Sequence, residues 1–169
     1  KNYFKIALPA ALEGLFMILL ASTDLIMVGA LGALSIAAVS IFMQPRLILL
    51  CFSRSLASSV TLLVSQKAGA GDTNGTSDIM KKSLTLCAIF MGLLHILFYI
   101  FLDDIFYLMG ANDEYMAEAM AYGPIALAAV YVTSLTLILQ AVQLGYGRTS
   151  VIMKTNVCGN VVNLALNAL

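Results

Sequence analysis

The chain has 169 residues, 61% hydrophobic and 11% charged, with nine basic against nine acidic side chains and a net charge of zero. A soluble domain carries roughly 25% charged residues, and mean hydropathy here is +0.95. The composition excludes a cytosolic enzyme, a nucleic-acid binder and a disordered chain, and it places the chain in a bilayer.

A membrane-crossing helix needs about 20 predominantly apolar residues. Five predicted helices cover roughly 4–30, 35–66, 83–109, 113–144 and 151–169, the apolar run of the fourth beginning near 119. The fold class expected is all-α, a polytopic transmembrane helical bundle. The chain opens on Lys1 and stops at Leu169 inside an apolar run, so it is expected to be incomplete.

The first helix carries Glu13 and Asp24, eleven residues or close to three turns apart, so both lie on one face about 16 Å from each other. Ser22 and Thr23 beside Asp24 offer hydroxyls that could share a small cation. Ionisable groups at membrane depth are costly and mark pathways, which makes the two carboxylates candidate stations for a cation. The second helix supplies the competing reading. In an antiparallel hairpin Asp24 lies level with Arg46 and Glu13 with Arg54, giving two structural ion pairs. Gln44 on the same helix is a candidate cavity residue, Pro45 a candidate kink. Ser53, Ser55, Ser58, Ser59 and Thr61 read as close helix packing.

GAGDTNGTSD at 69–78 is the expected second connection. His95 stands alone at mid-span of the third helix and reads as a satisfied interior polar group. ANDE at 111–114 supplies caps and first-turn carboxylates for the fourth helix, and GYGRTS at 145–150 ends it. Pro9 and Pro124 fall near helix starts, where proline is tolerated. Asn156, Asn160, Asn163 and Asn167 on the fifth helix are spaced four, three and four apart, which makes one stripe. Buried amides need partners, so the stripe is a polar cavity wall or interhelical glue, to which Gln140 and Gln143 could contribute. Cys51, Cys87 and Cys158 read as small core hydrophobes. No Walker, HExxH or GxSxG pattern occurs; no catalytic residue is expected and the chain is not expected to be an enzyme.

Lys1, Lys5, Lys67, Lys81, Lys82, Arg148 and Lys154 fall on one side of the predicted spans. The connection holding Asp103, Asp104, Asp113, Glu114 and Glu118 has no basic residue. The positive-inside rule then puts the N-terminus in the cytoplasm of a multi-pass protein of the plasma or inner membrane.

The segments IALPAALEGLF, STDLIMVGALGALSIAAVS, LLVSQKAGAGD, LMGAND, GYGRTS and GNVVNLALN, in this order, resemble the first helices of the multidrug and toxic compound extrusion (MATE) family. QPRLILLCFSR resembles a bacterial subset of it. The resemblance implies a cation-coupled antiporter of twelve helices in two six-helix lobes, of which this chain is most of the N-terminal lobe, the partner C-terminal lobe lying outside it. It implies export of small amphipathic or cationic substrates in exchange for Na+ or H+, with no other cofactor and no metal beyond Na+ at Asp24. It matches Asp24 to the coupling aspartate, and Asn163 and Asn167 to the polar pair on the fifth helix, with Glu13, Gln44, Gln140 and Asn160 as further cavity candidates. Many members carry an aspartate where Asn167 stands, which weakens a sodium cage here. Two alternatives stay open: a lipid-linked saccharide flippase of the same superfamily, whose basic cavity Arg46 and Arg54 could begin, and a non-transporting membrane subunit.

Overall fold

A computed structural model describes residues 32–167 continuously, together with 8, 11, 12, 14, 15, 18, 19, 22, 23, 26, 27, 29 and 30; of 164, 166 and 167 it describes the backbone. The described residues from Leu8 to Gly29 are helical. Beyond them lie α1 (Ala33–Gly69), α2 (Thr73–Ile100), α3 (Leu102–Leu108), α4 (Asp113–Gly145) and α5 (Thr149–Asn167). The described residues form no strand, so the fold is all-α. Among them α1, α2 and α4 are long and apolar enough to cross a membrane.

Local chemistry sets the element ends. After α1, Gly71 takes φ 73°, its N–H bonds the carbonyl of Ala68, and the Asp72 N–H bonds that of Lys67. That is a Schellman stop, and glycine avoids the Cβ penalty of the left-handed conformation. Gly147 repeats it after α4, with φ 72° and bonds to Leu144 and Gln143. Asp72 also starts α2 by accepting from the Gly75 N–H at 2.8 Å. The connection is therefore three residues long, and Thr73–Asp78, expected in the loop, is helical. The apolar run of 83–109 breaks at Phe101, where α2 ends and α3 begins. Pro124 lies well inside α4 rather than near its start, and Pro45 is buried within an unbroken α1. Asn112 precedes α4 without a side-chain cap, while Asp113 and Glu114 occupy its first turn as expected.

The core is a three-helix contact of α1, α2 and α4. Ser35–Glu118, Phe42–Tyr122, Ser53–Ser134 and Thr61–Ala141 contacts rise together along both helices, so α1 and α4 run parallel. α2 runs against α4: Cys87 Sγ bonds the Ser134 carbonyl, and His95 stacks edge-on to Tyr131. At one end Phe42 packs edge-to-face on Phe106 and Tyr122, at 6.5 and 5.7 Å between centroids. In the middle the Ser53 hydroxyl, wholly buried, sits 2.7 Å from that of Ser134 and touches Met91 Sδ. Ser134 donates in turn to the Val130 carbonyl. Small hydroxylated residues here let helices approach while every polar atom keeps a partner. Large apolar side chains such as Ile89, Leu93, Ile96, Ile125 and Val132 point outward, as lipid-facing surfaces require. The chain is a multi-pass membrane protein.

Candidate functional site

Asp24 and Glu13 lie outside the described residues, as does the side chain of Asn167. The neighbours of Asp24 are described in part. Ser22 and Thr23 each donate their hydroxyl hydrogen to the backbone four residues earlier, Ile18 and Leu19, at 2.9 Å. Their oxygens keep lone pairs for a cation, but the hydrogens are already committed.

Three members of the asparagine stripe have described side chains. Asn156, Asn160 and Asn163 all engage partners, Asn156 and Asn160 are half-buried, and Asn163 is exposed. One bond between α5 and α4 is an amide pair: Gln140 Nε2 donates to Asn156 Oδ1 at 2.8 Å. For that member of the stripe the interhelical reading holds, and Gln140 is part of the joint.

A cavity of about 450 Å³ opens beside this joint, bounded by α1, α4 and the start of α5. Arg54, Ser58, Thr61, Gln140 and Thr149 bring polar groups to its wall. Thr61 donates its hydroxyl hydrogen to the carbonyls of Ala57 and Ala141, so only acceptor capacity remains on its oxygen. Arg54 and Arg46 are exposed, and among the described residues neither lies within ion-pair distance of a carboxylate. Their predicted partners, Glu13 and Asp24, fall outside those residues. Gln44 is exposed on α1, and Gln143 is half-buried beside a smaller cavity of about 330 Å³.

The serine and threonine series of α1 divides. Ser53 and Thr61 pack between helices as expected, whereas Ser55, Ser58 and Ser59 are exposed. Cys87 is a buried core residue, but Cys51 and Cys158 are exposed, because their positions fall on the outer faces of α1 and α5. His95 is buried as expected yet only half satisfied: Nδ1 lies 2.7 Å from the Met91 carbonyl, while Nε2 has no partner among the described residues. Sequence reasoning missed Ser134, which accepts from Ser53 of α1 and Cys87 of α2, and Tyr131, whose hydroxyl donates to the Ala88 carbonyl of α2. Their partners lie dozens of residues away, and no local spacing signals them. Among the described residues no group of three acidic, histidine or cysteine side chains gathers to hold a metal.

Comparison with known proteins agrees with this architecture. The model of the MatE family matches residues 9–169. The chain is 28% identical over 145 residues to the "Probable multidrug resistance protein NorM" of Rhizobium meliloti (strain 1021), covering 86% of this chain and 31% of that protein. The chain thus spans about a third of that relative's length. No solved structure matches it. With the family's pattern running through nearly every residue of an all-helical, membrane-spanning bundle, the chain belongs to the MatE family of transporters.

Proposed function

We propose that this chain is part of a secondary active antiporter that exports drugs or organic cations in exchange for Na+ or H+ by alternating access. The observation that carries the reading is the family match over residues 9–169, and the name of the multidrug resistance relative supports it. Asp24 supplies the charge that holds the coupling cation, and Asn163 and Asn167 supply neutral oxygens. Cation and drug must bind the inward- and outward-open states differently for exchange to be coupled. The Gln140–Asn156 bond ties α5 to α4 through one member of the stripe. A second lobe beyond these residues, a cytoplasmic N-terminus and a plasma or inner membrane location belong to the same proposal.

One observation favours a second reading. Arg54 lines the 450 Å³ cavity among hydroxyl and amide groups, a composition that suits an anionic headgroup and hence a lipid-linked saccharide flippase.

Ethidium efflux from cells expressing the full-length protein separates the two. In the antiporter, Asp24→Asn reduces efflux to that of cells without the protein at equal membrane abundance, and Arg54→Ala leaves most of it. Undiminished efflux by Asp24→Asn contradicts the coupling role. Transport of a lipid-linked saccharide, lost in Arg54→Ala, with no ethidium efflux by the unaltered protein, favours the flippase.

A further inference from the structure

The groove between α2 and α4 holds a cavity of about 420 Å³, whose walls include Gly92, His95, Tyr99, Pro124, Leu127 and Tyr131. It lies toward the end of the bundle that carries the 101–112 connection, away from the Gln140–Asn156 joint, and nothing in the antiporter reading uses it. Its volume falls in the range of small-molecule pockets, roughly 300–1,000 Å³.

Its polar chemistry is one-sided. His95 is only 8% exposed. Its Nδ1 faces the Met91 carbonyl at 2.7 Å, and a carbonyl only accepts, so Nδ1 carries the ring hydrogen. In the neutral ring Nε2 is then a bare acceptor, buried and without a partner among the described residues. A buried acceptor left unmet is costly in an apolar setting. Tyr131, edge-on to the imidazole at 5.5 Å, donates its hydroxyl to the Ala88 carbonyl at 3.1 Å. What remains on that oxygen is also acceptor capacity. The rest of the wall is mainly apolar, and exposed Ile96 and Tyr99 stand at the mouth. Gly92 lies on the wall opposite Tyr131, where a Cβ would make ordinary van der Waals contact with the Tyr131 ring and hydroxyl at 3.8 Å, so a longer side chain there would extend into the cavity.

We propose that this cavity binds a membrane-dissolved lipophile bearing one hydroxyl or N–H donor, its apolar body against Leu127 and Pro124 and its donor on His95 Nε2. Both a resident bilayer lipid and a lipophilic compound from outside carry that chemistry. The proposal does not depend on transport, so a binding experiment tests it separately from the antiporter reading.

The experiment is equilibrium binding of tritiated phenylbutanol to the full-length protein in phosphatidylcholine nanodiscs, with butylbenzene as the competitor that lacks the donor. The expected result is saturable binding, with butylbenzene weaker by about tenfold or more, the loss of one buried hydrogen bond. His95→Phe loses that preference, and His95→Gln, which can turn an amide oxygen to the Nε2 position, keeps it. Gly92→Leu fills the cavity with His95 intact and abolishes binding, which covers the case that His95→Phe does not fold. Mass spectrometry of the purified protein distinguishes the sources. A hydroxyl-bearing lipid that co-purifies and is lost in Gly92→Leu identifies a resident lipid; probe binding without one identifies an exchangeable guest. Equal binding of phenylbutanol and butylbenzene, or an unchanged preference in His95→Phe, overturns the proposal and leaves an apolar cavity with water at Nε2.

Discussion

Asp72 performs three tasks in the turn between α1 and α2. Its N–H closes the Schellman stop of α1, one carboxylate oxygen caps α2 at the Gly75 N–H, and the other meets Lys67 Nζ at 3.1 Å. The Gly75 bond, and after it Lys67, holds the carboxyl below its usual value of 3.8. A depressed folded-state value stabilises above the unfolded one and is lost as pH falls through the folded one. The stability margin of the unaltered protein over Asp72→Asn, in which the amide can cap without titrating, therefore closes on acidification below about pH 4. Thermal unfolding scans between about pH 6 and about pH 3 measure it, and a margin independent of pH contradicts the assignment. The turn was legible within GAGDTNGTSD because glycine and aspartate act locally, although the helix already resumes at Thr73. His95 was legible only as buried: whether its second nitrogen finds a partner depends on what α4 places beside it, Tyr131 included, which its own neighbourhood in sequence does not show.

At the scale of elements, the parallel contact of α1 with α4 depends on absent side chains. A Cβ at Gly145 would lie 2.6 Å from Val64 Cγ1 and 3.0 Å from the Thr61 carbonyl oxygen, so no alanine fits without moving α1. Gly159 on α5 has nothing within 4 Å of the same position. Gly145→Ala is expected to destabilise by about 1–3 kcal/mol, the usual range for overpacking. Gly159→Ala should be neutral or slightly stabilising through helix propensity. Paired thermal unfolding in detergent checks both, and equal effects would contradict the packing account. Hydropathy located the membrane-crossing part of α1, α2 and α4 but not their ends. α2 begins at Thr73, well before residue 83, because a capped polar stretch (Thr73–Lys82) continues the helix without adding apolar signal. The break at Phe101 was hidden for the opposite reason, since apolar residues flank it on both sides. The asparagine periodicity of α5 was plain, whereas the partner of Asn156, Gln140, became evident only when α4 and α5 were seen side by side.

At the scale of the whole molecule, the described residues form three long apolar helices with outward apolar side chains, and the MatE family model matches residues 9–169. The general class followed from composition, because a chain with 61% hydrophobic residues cannot hide them in water at this length. Coupling is a property of two states and two ligands, and no single arrangement of helices contains it. Reconstituting the full-length protein in liposomes and following ethidium under an imposed Na+ or H+ gradient measures it directly. The account predicts that one of the two gradients drives ethidium against its own concentration gradient, and that Asp24→Asn abolishes this drive. Ethidium that merely equilibrates whatever cation gradient is imposed, or a drive that survives Asp24→Asn, would contradict it.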